Sequence, residues 1–272
     1  MNGQKAGALV IIGGAEDHEG ECTILRRFVA LAGGREARIV VVSAAAADPH
    51  ATSREYARVF KKLGVNDLEF LSLADRLAAD GEAAAELLRQ ASGIFLTGGD
   101  QLRITSTMGG TTAHQTLRDA RARGAVVAGT SAGASAIPAV MIVGGTGEEA
   151  PQLGTVSMAP GLGLVEGLVV DQHFAQRGRI GRLLSAVAQN PAVIGIGVDE
   201  DTAAVLYSDG EVETVGSGAV TVVDGRSITH ATPSEASLSE PFSIYGMTLH
   251  VIAPSGKFKL AAATRPGSRA SV

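Results

Sequence analysis

The chain has no tryptophan, one cysteine, three tyrosines and seven phenylalanines in 272 residues, so aromatic residues make up only 4%. The single cysteine, Cys22, excludes an internal disulfide and fits a reducing compartment. Basic residues (23) are fewer than acidic ones (28), giving a net charge of −5. With no basic run and no interleaving of aromatic and basic residues, nucleic acid is not an expected partner. No apolar stretch approaches the ~20 residues needed to span a bilayer, so no membrane partner is expected either. A strand begins by about Ala8 without a cleavable signal pattern, and a cytoplasmic protein is the expectation. The spacings H-E-x-x-H, C-x-x-C and G-x-x-x-x-G-K are absent, and Gly13-Gly14 lacks the rest of a dinucleotide fingerprint. Neither a metal nor a cofactor is therefore expected.

Small residues are plentiful, with 35 glycines, and hydrophobic residues reach 45%, a globular composition with ample core. The chain is organised around Ala125 to Ala134. Residues 124–128 are small, apolar and β-branched, which suits a strand buried on both faces. Gly129-Thr130-Ser131-Ala132-Gly133 then fits G-x-S-x-G, in which a serine sits on a sharp turn between strand and helix. The flanking glycines have a steric reason: a β-carbon at either place would collide with the other backbone.

Apolar periodicity predicts strands at 6–12, 38–42, 67–71 and 94–97 and helices at 21–32, 53–63, 82–91 and 112–123. Their alternation, with short connections, predicts an α/β fold: a three-layer, doubly wound, mostly parallel sheet. Ligands in such sheets bind beyond the carboxyl ends of the strands. The informative tips are thus residues 13–17, 98–101 and 129–133. Residues 142–160 read as glycine-rich and irregular. A strand at 168–170, a helix at 177–189 and a strand at 193–198 follow. Beyond them 203–260 reads as short strands with turns at Asp209-Gly210, Asp224-Gly225 and Ser255-Gly256, a hairpin extension of the same sheet. One domain over 1–260 and a disordered tail over 261–272 are expected.

A serine hydroxyl needs a base. Of six histidines, His173 directly follows a strand and lies among Asp171, Gln172 and downstream arginines. A carboxylate must then fix its tautomer. Asp171, Glu148, Glu149 and Glu166 are candidates; Glu149, on a glycine-rich loop, has the freedom to come in behind the ring. Arg177, Arg179 and Arg182 form a cluster suited to carboxylates. Asp199, Glu200 and Asp201 form an acidic tip that suits either a cationic substrate group or a turn cap. The amide of Ala132, and a glycine amide of Gly98-Gly99, are placed to meet a developing oxyanion.

Together these tips resemble the cyanophycinases, of the serine peptidase family that also holds the aspartyl dipeptidases. The match is carried by Ile12-Gly13-Gly14-Ala15-Glu16-Asp17, by Phe95 through Arg103, by Ala128 through Ala134, by Val170-Asp171-Gln172-His173-Phe174, and by Asp199-Glu200-Asp201-Thr202. Asp-Gln-His-Phe followed by Arg-x-Arg-x-x-Arg is the most specific of these. The resemblance implies a metal-free serine exopeptidase that cleaves cyanophycin, a poly-aspartate carrying arginine on each β-carboxyl, to β-Asp-Arg dipeptides. It implies Ser131 as nucleophile, His173 as base and Glu149 as the third member. Gly99 and Ala132 would be oxyanion donors, with a substrate pocket of Gln101, Asp171, Gln172, Arg177, Arg179 and Arg182. A class I glutamine-amidotransferase type of fold and a homodimer follow from the same resemblance. Two other readings stay open: a peptidase for other aspartyl or isoaspartyl peptides, and a non-catalytic binding protein on the same scaffold.

Overall fold

The computed structural model describes residues 5–145, 150–237 and 240–260. Glu148, Glu149 and the expected tail over 261–272 lie outside them. The first half alternates as predicted: β1 (Leu9–Ile12), α1 (Thr23–Leu31), β2 (Arg38–Val42), α2 (Pro49–Lys62), β3 (Asp67–Leu71), α3 (Arg76–Asp80), α4 (Glu82–Gln90), β4 (Gly93–Leu96), α5 (Gln101–Met108), α6 (Thr112–Ala122), β5 (Val126–Thr130) and α7 (Ala132–Ala136). The sequence reading did not anticipate α3 or α5. Both start on an aspartate cap: Asp75 accepts from the amide of Ala78 and Asp100 from that of Leu102.

A hairpin follows, β6 (Val140–Gly144) and β7 (Ser157–Pro160), which overlaps the stretch 142–160 expected to be irregular. Then come β8 (Leu168–Gln172), α8 (Ile180–Gln189), β9 (Ile194–Val198), β10 (Thr202–Leu206), β11 (Glu211–Gly216), β12 (Val220–Asp224), β13 (His230–Ala231), β14 (Ile244–Tyr245), β15 (Thr248–Ile252) and β16 (Lys257–Lys259).

The main sheet runs β16-β11-β10-β1-β5-β4-β2-β3. Its five strands from β1 to β3 are parallel, and β10, β11 and β16 extend it antiparallel. The expected hairpin extension is therefore present, but only part of the second half joins it. β8, β9, β12 and β15 form a separate four-stranded sheet, in the order β15-β12-β9-β8.

The parallel strands are buried on both faces, as continuous apolar runs should be. Leu9, Ile11 and Val127 face a core shared with α4, α5, α6, α7 and the second sheet. Val10, Ile12, Val126 and Ala128 face α1 and α2. On that side the scarce aromatics are gathered. Phe28, Phe60, Phe95 and Tyr56 pack ring against ring at centroid distances of 4.8 to 6.0 Å. α8 covers the outer face of the second sheet through Leu183, Ala186 and Val187.

Candidate active site

Ser131 stands between β5 and α7 with φ 51° and ψ −112°, a conformation L-residues rarely adopt. The glycines on either side permit it. A β-carbon on Gly129 would lie 2.5 Å from the carbonyl of Gly133, and one on Gly133 would lie 2.3 Å from the oxygen of Leu96. The elbow read from the sequence is thus sterically obligatory. It is also anchored, because the amide of Ser131 donates to the carbonyl of Ile12 at 3.0 Å.

The tip of β1 anchors more than the serine. The carbonyl of Gly13 accepts from the amide of His173 at 2.8 Å, and that of Gly14 from the amide of Asp201 at 2.9 Å. Gly14 itself (φ +97°) lies flat against the imidazole: a β-carbon there would sit 2.4 Å from Cε1 of His173. His173, φ 48°, is another strained residue at a strand tip.

Held in this way, the Oγ of Ser131 lies 3.0 Å from Nε2 of His173. Nδ1 of His173 lies 2.6 Å from Oε1 of Glu200. The carboxylate behind the ring is thus Glu200, from the loop between β9 and β10, where the sequence reading placed Glu149. The cause is strand pairing. β8 and β9 are parallel neighbours in register from Leu168↔Ile194 to Gln172↔Val198, so the residues just past their tips lie side by side. Burial pushes the His173 imidazole below its ordinary range, Glu200 pulls it up, and Arg177 and Arg179 push it down; the net shift is downward. The shift favours the neutral ring, and its Nε2 faces the hydroxyl, where a proton acceptor has to stand.

The rest of the acidic tip is occupied by backbone. Asp199 accepts from the amides of Ala175 and Ala219 at 3.1 and 3.0 Å, and Asp201 from that of Asp17 at 3.0 Å. The arginine cluster divides as well. Arg182, on α8 and 5% exposed, grips Asp171 with two bonds, Nε to Oδ2 at 2.6 Å and Nη2 to Oδ1 at 2.5 Å, and donates to the carbonyl of Gly145. Asp171 is 1% exposed, so neither partner is free for a ligand. Arg179 caps α8, touches Asp171 and donates to the carbonyl of Gln172. Burial brings its guanidinium down to about 10. Arg177 lies in a short turn ahead of α8 and is exposed.

Gln101 begins α5 and donates to the carbonyls of Ile142 and Val143 at 3.2 Å, which leaves its Oε1 free of these bonds. Gln172 is 7% exposed, and its Oε1 has no hydrogen-bond partner among the described residues. Among the described residues no acceptor takes the amide of Ala132 or of Gly99. Of Gly98 and Gly99, Gly98 has its β-position 3.5 Å from Cβ of Ser131, whereas Gly99 packs on the carbonyl of Ala45. No cluster of three metal-ligating side chains occurs among the described residues.

The model of peptidase family S51 matches residues 9–215. The chain belongs to peptidase family S51. Its relatives include a cyanophycinase of Trichormus variabilis, 40% identical over 255 residues that cover 93% of this chain and 85% of the relative. Another is a cyanophycinase of Geminocystis herdmanii, 36% identical over 252 residues, covering 92% and 93%. Among solved structures, a peptidase from an acI-B1 Actinobacterium superposes with a TM-score of 0.69 at 19% identity, covering 95% of this chain and 98% of that one. A putative peptidase E from Listeria monocytogenes gives 0.53 at 15%, covering 78% and 98%. These likenesses establish the α/β peptidase fold. In this S51 peptidase, the residue that sequence reasoning left out of the serine–histidine line is Glu200. Its motif, Asp199-Glu200-Asp201-Thr202, was visible, but as an acidic tip suited to a cationic substrate group or a turn cap.

Proposed function

We propose that the chain is a serine exopeptidase that hydrolyses cyanophycin to β-Asp-Arg dipeptides through an acyl-enzyme. One observation carries this: the line Ser131 Oγ, His173 Nε2, His173 Nδ1, Glu200 Oε1, with spacings of 3.0 and 2.6 Å, set beside Arg177 and Arg179. The kinship with cyanophycinases at 36–40% identity supports the substrate.

In this reading His173 takes the proton of Ser131 as the oxygen attacks a backbone carbonyl of the polymer. The amides of Ala132 and Gly99 receive the oxyanion. Glu200 stabilises the imidazolium that forms, and the same Nε2 proton then goes to the leaving amine. Water repeats the sequence on the ester. Arg177 and Arg179 meet the substrate's carboxylates. The Arg182–Asp171 pair lies beneath them as a buried support, and Gln101 offers a neutral oxygen to guanidinium or amide donors. A homodimer in the cytoplasm belongs to the same reading. It is supported by the family resemblance alone, and sedimentation of the purified protein tests the dimer. No helix among the described residues is long and apolar enough to cross a membrane.

The deciding experiment incubates native and Ser131→Ala protein with cyanophycin and, separately, with isoaspartyl dipeptides, and identifies products by mass spectrometry. Release of β-Asp-Arg by the native protein alone is expected. Cleavage of the dipeptides without the polymer, or equal turnover by Ser131→Ala, overturns the reading.

A further inference from the structure

The motif Gly13 to Asp17 is only half used by the site as described. Gly13 and Gly14 hold His173 and Asp201, but Glu16 touches neither. It is an acid 7% exposed, enclosed by β1, α2 and β5. Its Oε2 accepts from the hydroxyl of Thr130 at 2.6 Å and its Oε1 from that of Tyr56 at 2.7 Å. Nε2 of His18 stands 3.6 Å from Oε1, and Nδ1 of His18 is in turn 2.7 Å from Glu55. Burial pushes the Glu16 carboxyl up, but the neighbouring His18 imidazole and the bonds from Thr130 and Tyr56 outweigh it and hold it below the ordinary range. A buried carboxylate is costly to keep, and an apolar side chain would fill the same place on the α1–α2 side of the sheet.

Thr130 is the last residue of β5 and the one that leads into the strained Ser131. Its side chain is tied to Glu16 while its neighbour in register on β1, Ile12, accepts the amide of Ser131. The serine is thereby approached from two sides by one short segment, through backbone at Ile12 and through side chain at Glu16. We propose that Glu16 is a positioning residue: its carboxylate fixes the Thr130 rotamer and with it the φ and ψ that present Oγ of Ser131 to His173. This rests on the reading of Ser131 as nucleophile. The geometry gives Glu16 a role distinct from Tyr56, which belongs to α2, bonds the other oxygen of the carboxylate and is joined to Thr130 only by way of Glu16.

The test compares three full-length variants, Glu16→Gln, Thr130→Val and Tyr56→Phe, with the native enzyme. Three quantities are read: the rate at which a fluorophosphonate labels Ser131, kcat and KM on cyanophycin, and the melting temperature. A misplacement of about 1 Å at a reacting atom can cost about a hundredfold. Glu16→Gln and Thr130→Val should therefore slow labelling and lower kcat by about tenfold or more, with KM within about twofold. Tyr56→Phe removes a bond to the same carboxylate and should lower the melting temperature comparably, yet label within about threefold of native. The Glu16→Gln/Thr130→Val double variant should be no slower than the worse single one, because both cut the same link. Thr130→Val keeps the β-branched shape that β5 requires, so it tests the link even if Glu16→Gln does not fold. If all three variants label at the native rate, or Tyr56→Phe loses as much as Thr130→Val, Glu16 is a packing residue and the proposal fails. If the native enzyme is not labelled at Ser131 at all, the nucleophile assignment fails and takes this proposal with it.

Discussion

Changing Glu200 to glutamine isolates what the third member contributes. The side chain keeps its length and loses its charge. In the native protein its Oε1 lies 2.6 Å from Nδ1 of His173. A hydrogen bond to a charged group is worth about 1.5–3 kcal/mol. With about 1.4 kcal/mol to each factor of ten, losing the charge alone costs kcat roughly 10- to 150-fold. Glutamine can also turn its amide nitrogen toward the ring. Nδ1 must then accept, the proton moves to Nε2, and the imidazole faces Ser131 with a donor; a wrong tautomer of this kind costs about 10⁴-fold. Glu200 is 36% exposed at its side chain, so water dilutes the effect. The expected loss in kcat is therefore about 10²- to 10³-fold, with KM nearly unchanged. Release of β-Asp-Arg at saturating polymer measures it, alongside Glu149→Gln, which should lose far less. A Glu149→Gln enzyme slower than Glu200→Gln would refute the argument and return the role to the glycine-rich loop.

Two further perturbations separate the arginines. Arg182→Ala leaves the carboxylate of Asp171 buried without its two-pronged partner, so it should destabilise the fold by about 3–5 kcal/mol, seen as a lowered melting temperature, while exposed Arg177→Ala leaves melting nearly unchanged. Equal melting temperatures for the two would show that Arg182 is no structural support. Arg177→Gln, for its part, removes a cation that disfavours the His173 imidazolium. Since the base must be neutral to act, its pKa should rise and the acid limb of kcat/KM should move to higher pH; a limb that stays put or moves to lower pH contradicts the assignment.

The elbow was legible in the sequence because its demands are local. Gly129, Ser131 and Gly133 must sit where they do whatever surrounds them, and the apolar run before them names the strand. The parallel core was legible for a related reason: alternate residues such as Val10 and Ile11 serve opposite faces, and only uninterrupted apolar runs can do so. Glu200 was not legible. Its place behind His173 depends on β8 and β9 being neighbours, a pairing that no spacing between residues 173 and 200 records. The four-stranded sheet was hidden for the same reason, since β12 reads alike whether it pairs with β9 or with β11. The arginine cluster was found but misapportioned. From sequence alone Arg177, Arg179 and Arg182 look equivalent, and only the burial of Asp171 decides which of them is already taken.

The chain passes from the second sheet to the first at Asp199 to Asp201, between β9 and β10, and Glu200 is carried on that crossing. Ser131 belongs to the eight-stranded sheet, whereas His173 follows a strand of the four-stranded one. The reactive line is therefore strung across a joint, and neither sheet holds a working fragment of it. A chain with its parallel core formed but the second sheet undocked would present a bare serine with no base. In the proposed reading, hydrolytic activity therefore reports on the docking of the two sheets and not merely on the presence of secondary structure.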